Sequence, residues 1–209
     1  MKHNIRRKRQ LEIALQRIPC HPSPNIEFEQ YLTPANIAAD VLWNAYSLGD
    51  IEGKNIVDLG CGTGIFAIGS LLLGAKESIA VDIDQEALET ARLEAQHFRV
   101  DDKIKLINSD VGKFSFSADT VIQNPPFGAQ KAQSRNSDRI FIKKALEIAP
   151  TVYSFHMKET EEFVVNYFNS LGGHLTHKFY YKFVIPRTYQ FHEKEKIHID
   201  VVVVRIIKS

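Results

Sequence analysis

One unit recurs between residues 55 and 155. A short apolar run stops at glycine, an acid or proline, and after the first, second and fourth runs an amphipathic stretch follows, without any repeat of the sequence itself. Asn55-Ile56-Val57-Asp58-Leu59 runs into Gly60-Cys61-Gly62-Thr63-Gly64. Ser78-Ile79-Ala80-Val81 ends at Asp82-Ile83-Asp84, and 104–107 ends at Asn108-Ser109-Asp110. Asp119-Thr120-Val121-Ile122-Gln123 ends at Asn124-Pro125-Pro126-Phe127-Gly128, and a fifth run covers 151–155. Short apolar runs closed by such breakers read as buried strands. The intervening stretches have helical spacing, over 65–73, 85–97 (Ala87, Leu88, Ala91, Ala95) and 138–148. A helix between two strands lets them lie parallel, so the repeat predicts βαβ units and a mainly parallel sheet.

The flanks extend this pattern. A short amphipathic helix over 9–18 is stopped by Pro19, Pro22 and Pro24. A second is expected over 34–48, with Thr33 as N-cap and Pro34 at its first position. After a helix over 158–171, two long β runs, 176–185 and 198–207, have only a short charged connection and should pair antiparallel. The expected fold class is α/β: one domain over 29–209, with a basic helical extension over 1–28.

Composition bounds the function classes. The chain has 209 residues, 44% hydrophobic and 24% charged, which suits one sizeable core. No apolar run approaches membrane-spanning length and no secretory signal opens the chain. Cys20 and Cys61 form neither a disulfide framework nor a zinc spacing, so a reducing, cytoplasmic setting is expected. The net charge of +1 hides an asymmetry. Residues 1–18 hold six Lys/Arg against Glu12, whereas the remainder has 20 basic and 24 acidic residues. Such an arm is either a phosphate-binding element or a solvated, frayed terminus.

A strand, a glycine turn and a helix N-terminus together form an anion site. Gly60, Gly62 and Gly64 differ from the dinucleotide fingerprint, which would need glycine where Ile65 stands, so a smaller anion such as an amino-acid carboxylate is expected. Asp58 precedes the turn and could face an ammonium group. Asp82 is placed to accept from both hydroxyls of a ribose. Ile83 could pack on an adenine and Asp110 accept from its amine. An amino acid, a ribose and an adenine in that order describe S-adenosyl-L-methionine. In the proline-closed stretch, the Asn124 amide oxygen and the Pro125 carbonyl could each accept one hydrogen of an exocyclic amine. Phe127 could stack on the base. The bland readings are helix caps for the acids and a proline turn with a buried Phe. All four stretches fall at carboxyl ends of strands, where open α/β sheets bind ligands.

These stretches, together with Glu29-Gln30-Tyr31-Leu32-Thr33, Val152-Tyr153-Ser154-Phe155-His156 and Tyr189-Gln190-Phe191-His192, resemble a class I S-adenosylmethionine-dependent methyltransferase. More narrowly, they resemble the ribosomal RNA adenine-N6 methyltransferases of the methyltransferase-like protein 5 family. The resemblance implies a Rossmann-like seven-stranded sheet with its last strand antiparallel and helices on both faces. It implies that Gln30 and Thr33 close over the cofactor, that Gly60, Cys61, Gly62, Gly64 and Ile65 hold its methionine end, and that Asp82 and Asp110 hold ribose and adenine. Asn124, Pro125, Pro126 and Phe127 would form the catalytic corner. It also implies RNA as substrate and admits a small zinc-containing activator subunit as partner.

Residues 129–137 read as a polar surface loop, and Lys131, Arg135 and Arg139 could track phosphates beside the target base. His156 reads as a surface histidine or one facing the cleft. Two rivals remain from the sequence: N5-methylation of a glutamine in a protein, where relatives usually have Tyr in place of Phe127, and a noncatalytic RNA-binding protein on the same fold.

Overall fold

A computed structural model describes residues 5–22, 32–126, 134–186 and 196–208, with side chains left aside at 134–137, 184–186 and 196–197. Seven strands form one sheet: β1 (Asn55–Leu59), β2 (Glu77–Asp82), β3 (Ile104–Asn108), β4 (Thr120–Gln123), β5 (Thr151–Met157), β6 (Gly173–Pro186) and β7 (Lys196–Lys208). Their spatial order is β3-β2-β1-β4-β5-β7-β6. The β1–β2, β1–β4, β2–β3 and β4–β5 pairs are parallel, while β7 runs antiparallel to both β5 and β6. This is the doubly wound arrangement the repeat predicts, and the antiparallel strand is the last one in the chain.

The central strands are apolar on both faces because helices cover both faces. One side carries α1 (Lys8–Leu15), α2 (Ala35–Ser47), α3 (Ile65–Leu72) and α4 (Gln85–His97). Ile56, Ile122, Tyr153, Phe155 and Val203 point into the core beneath α1, α2 and α3. The alternate residues Val57, Leu59, Val121, Val152 and Val204 face α5 (Ser134–Ile148) and α6 (Glu161–Ser170). Below the sheet's amino ends, Asp50 accepts from Tyr153 Oη at 2.6 Å and Arg205 Nε at 2.7 Å, which ties the α2–β1 loop to β5 and β7.

Three details differ from the sequence reading. Helix α1 is packed rather than frayed: Leu11 and Leu15 are fully buried and Ile18 nearly so. Helix α5 begins at Ser134, four residues before the expected start. Ser134-Arg135-Asn136-Ser137 contains no glycine or proline, so nothing stops the helix from propagating toward its N-terminus. Thr33 does not cap α2. That helix starts at Ala35, with no side-chain cap, and the Thr33 hydroxyl is engaged elsewhere. No helix among the described residues is long and apolar enough to cross a membrane.

Candidate active site

The strand order reverses between β1 and β4, and Leu59 of β1 pairs with Gln123 of β4. The two chains therefore leave the sheet side by side, one as the glycine turn and the other as Asn124-Pro125-Pro126. Leu59 also pairs with Val81, and Asp82 with Asn108, so the ends of β2 and β3 join the same rim. A switch point of this kind leaves a crevice above the strand ends.

On the β1–β2 side, backbone N–H groups do the shaping. Gly64 has φ +85°, and a Cβ there would lie 3.1 Å from the Ala91 Cβ, so only glycine fits the close approach of α3 to α4. Gly62 has φ +52°, but a Cβ there would meet nothing within 4 Å, so this glycine opens onto space. Gly62 N donates to Asp82 Oδ2 at 2.7 Å and Asp84 N donates to Asp82 Oδ1 at 3.0 Å. Each oxygen retains a lone pair, so the carboxylate can still accept from a diol. Burial raises the Asp82 pKa above the ordinary carboxylate value, against these two donors. Ile83 is 55% exposed, a large apolar face left uncovered beside that carboxylate.

The structure reassigns several residues expected to touch a cofactor. Asp58 is fully buried: its Oδ2 accepts from Ala67 N in the first turn of α3 at 2.9 Å, and its Oδ1 has no hydrogen-bond partner. Burial pushes its pKa up to about 7, so it is a helix-anchoring carboxyl rather than an exposed counter-charge for an ammonium. Cys61 and Ile65 are buried, Ile65 within the core beneath α3. Asp110 is exposed and accepts from Gly112 N through Oδ1 at 2.7 Å, which caps the turn Val111–Lys113, the bland reading of an acid after a strand.

On the β4–β5 side, side chains hold one another. Asn124 Nδ2 donates to Thr33 Oγ1 at 3.0 Å, and Thr33 is itself buried. The amide is thereby committed through its nitrogen, while Asn124 Oδ1 is buried and without a hydrogen-bond partner. Pro125 is buried and Pro126 half-buried. Beneath them, Gln123 Nε2 donates to Ser154 Oγ at 2.9 Å, and Ser154 Oγ lies 2.6 Å from His156 Nε2. The serine hydroxyl thus links the Gln123 amide to the imidazole. Asp138 Oδ1 of α5 lies 4.0 Å from His156 Nδ1. His156 is 1% exposed, which corrects both the surface and the cleft-facing expectation, and burial lowers its pKa to about 3. The sequence signal for this chain was a Gln, a Ser and a His inside strands otherwise built of apolar residues, Ser154 and His156 falling on one face by strand alternation.

Gln30, Phe127 and Lys131 lie outside the described residues, as does the side chain of Arg135. Arg139 is exposed, but its guanidinium lies over the rings of Phe163 and Tyr167, at 5.4 and 5.6 Å from their centroids. Its flat face is therefore occupied, and only its edges could meet a phosphate. Among the described residues, no cluster of His, Cys, Asp and Glu is arranged to hold a metal ion.

A doubly wound sheet with a glycine turn, an acid after β2 and an unfilled acceptor after β4 defines a Rossmann-like methyltransferase. Comparison with known proteins places it more narrowly: residues 36–150 match the methyltransferase small domain, and the chain belongs to that family. The Drosophila melanogaster rRNA N(6)-adenosine-methyltransferase Mettl5 is 35% identical, over 92% of each chain. Its Danio rerio counterpart METTL5 is 32% identical, over 94% of this chain and 97% of its own. The crystal structure of a candidate RNA methyltransferase from Pyrococcus horikoshii superimposes with a TM-score of 0.89 at 42% identity, covering 98% of each chain.

Proposed function

We propose that this chain is an S-adenosyl-L-methionine-dependent N6-adenine methyltransferase acting on RNA, with ribosomal RNA as the polymer. The observation that carries the reading is the Asn124 amide. Its nitrogen is held by Thr33, and its buried oxygen has no partner at the switch point of the sheet. A buried acceptor left unfilled is costly unless a ligand fills it, by about 1–3 kcal/mol. An exocyclic amine supplies the missing donor. The names of the Drosophila and zebrafish relatives, both rRNA N(6)-adenosine-methyltransferases, agree with an adenine amine.

The residues on the β1–β2 side fit the cofactor. Gly62 opens onto free space, Asp82 keeps acceptor capacity for ribose hydroxyls, and Ile83 offers an uncovered apolar face for a base. Gly60 and its neighbours, with Gln30 and Thr33, complete the set in this proposal. Bound there, S-adenosyl-L-methionine supplies an electrophilic methyl group. The chain's own work is orientation. Asn124 Oδ1 and the Pro125 carbonyl accept the two amine hydrogens and hold the nitrogen lone pair in line. Both dipoles are held before reaction, Pro125 by its own ring and by Pro126, which restricts its ψ, and Asn124 by Thr33. The attacking amine is neutral, so no strong base is required before transfer; the acceptors would stabilise the positive charge that grows on nitrogen as the methyl donor leaves as a neutral thioether, and the methylated amine would then release one proton to solvent. Phe127 stacks on the unpaired base, while Lys131, Arg135 and Arg139 line its phosphate path.

In this proposal residues 29–209 carry the reaction in a cytoplasmic setting, and residues 1–28 are an extension. A small zinc-containing activator subunit would pair along a sheet edge, of which β3 and β6 are the two with a single strand neighbour. The test is direct. Labelled cofactor is incubated with ribosomal RNA or with ribosomal protein, and the product is digested. N6-methyladenosine in the RNA is the expected product. Label in a protein glutamine, or none in RNA, overturns the reading.

A further inference from the structure

The N-terminal helix bears exposed cations that the proposed reaction centre leaves unused. Arg6, Arg7, Lys8, Arg9 and Arg17 are all exposed, and Lys8 is paired with Asp40 of α2. Between residues 5 and 18, Glu12 is the only acid. The first turn of α1 contains no acidic residue, so Arg6, Arg7, Lys8 and Arg9 sit at the positive end of the helix dipole, whereas Arg17 follows its carboxyl end. The placement of the first four works against the helix, and helix stability does not explain it. Local rules broken without a structural return point to function.

The helix that carries them is held firmly. Leu11 and Leu15 are fully buried, and a Cβ on Gly69 of α3 would lie 2.4 Å from a Leu42 methyl and 3.3 Å from a Leu15 methyl. Helices α1 and α2 therefore meet over a glycine on α3 that only a missing side chain permits. The chain leaving α1 is then tied to both cofactor-side loops. Thr63 Oγ1 donates to the Pro19 carbonyl at 3.0 Å, and His21 Nε2 lies 3.1 Å from Asp84 Oδ2. The cations thus stand at a fixed distance from the switch point.

We infer that the exposed cations at the two ends of α1, Arg7 and Arg9 at its amino end and Arg17 after its carboxyl end, form a docking surface for the phosphodiester backbone of the RNA substrate. The inference rests on the RNA reading above. Outside residues 1–18 acids outnumber bases, 24 to 20, so most of the chain repels a polyanion and binding needs a local positive surface. Arg7 caps the amino end of α1 and Arg17 follows its carboxyl end, so the eight-residue helix, about 12 Å long, lies between them, enough to meet two successive phosphates. Guanidinium groups suit phosphate through paired N–H donors.

The test uses the full chain with Arg7, Arg9 and Arg17 all changed to Glu, and a second triple variant carrying Lys at the three positions. Affinity for a fluorescent 30-nucleotide single-stranded RNA is measured against salt, and methyl transfer is measured on deproteinised ribosomal RNA. For the Glu variant, the salt slope of log K should fall by about 2, from three lost contacts at roughly 0.7 each. KM for the RNA should rise at least tenfold, with kcat within twofold of wild type and cofactor affinity unchanged. The Lys variant should recover most of the affinity. Unchanged slope and KM in the Glu variant overturn the inference, as does a loss in cofactor affinity or kcat equal to that in KM, which would mark a structural role. An acidic protein or anionic vesicles competing better than RNA would also overturn it. Failure of the wild-type chain to methylate any RNA overturns the function reading instead, and the salt slope still reads the surface.

Discussion

Buried polar groups collect at two places on the carboxyl rim of the sheet, and the two are satisfied differently. At the ends of β1 and β2, carboxylates are met by loop N–H groups: Asp58 by Ala67, Asp82 by Gly62 and Asp84. At the ends of β4 and β5, side chains meet side chains: Asn124 with Thr33, Gln123 with Ser154, and Ser154 with His156. The first arrangement shapes a loop. The second fixes the direction of two amides, Gln123 and Asn124, and leaves both oxygens unfilled, Gln123 within the strand and Asn124 past its end. In the proposed function the methyl donor binds on the first side and the acceptor is aligned on the second.

The sharpest way to break that division is a pair of substitutions. Asn124→Ala should lower methyl transfer by about a hundredfold or more, the scale of losing one preorganised dipole, while calorimetry shows cofactor affinity within threefold of wild type. Asp82→Ala should do the reverse, with the larger loss in cofactor affinity. If both variants lose affinity equally, the two sides are not separate. Thr33→Val keeps the shape and removes the hydroxyl, leaving Asn124 Nδ2 without its acceptor. We expect kcat to fall roughly tenfold, on the order of the 1–3 kcal/mol cost of a buried unpaired group, with a smaller change in cofactor affinity. A pure cofactor-binding defect would leave Thr33 its proposed place beside the cofactor and remove its part in holding Asn124.

A smaller effect sharpens the β1–β2 side. Gly64→Ala forces a side chain into a left-handed φ with a Cβ contact at 3.1 Å, whereas Gly62→Ala meets strain alone. By urea unfolding, Gly64→Ala should cost about 1–3 kcal/mol and Gly62→Ala about 1. Equal costs would mean that the packing against Ala91 relaxes freely.

The two sides also differ in how far the sequence revealed them. Glycine spacing, acids after strands and paired prolines mark backbone conformation, and backbone conformation is local. The glycine turn, the strand boundary at Leu59 and the stop at Pro125 were therefore legible. Contacts between distant side chains have no spacing to betray them. Thr33 and Asn124 are far apart in the chain, and Thr33 followed by proline reads locally as a helix cap, which the structure overrules. Asp58 was misread for a related reason: an acid before a glycine turn gives no sign of whether its side chain faces the crevice or the base of the next helix. The order of the last two strands was open as well, because antiparallel pairing of β6 with β7 does not say which of them lies against β5.

The two sides respond to acid in opposite senses. Asp58 has a folded pKa of about 7 against an ordinary 3.8, so between those values the folded chain holds a proton that the unfolded chain has released. Its contribution to stability is present at low pH and is lost as pH rises toward 7. His156 has a folded pKa of about 3 against 6.5, so over most of the same range the unfolded chain holds the extra proton, and stability is lost as pH falls. The two slopes, each at most about 1.4 kcal/mol per pH unit, oppose one another between roughly pH 4 and 6.5. Single substitutions should unmask them. Asp58→Asn can still accept from Ala67 N through its amide carbonyl, and its urea midpoint should fall more steeply than wild type on acidification from pH 6.5 to 4.5. His156→Gln removes the opposing term, so its midpoint relative to wild type should instead rise on the same acidification. Groups common to all three proteins and remote from both side chains cancel in that difference, and Asp82, whose charge acts on Asp58, titrates with it. Parallel midpoint–pH curves for the two variants and wild type would mean that neither side chain is held in the protonation state its burial imposes.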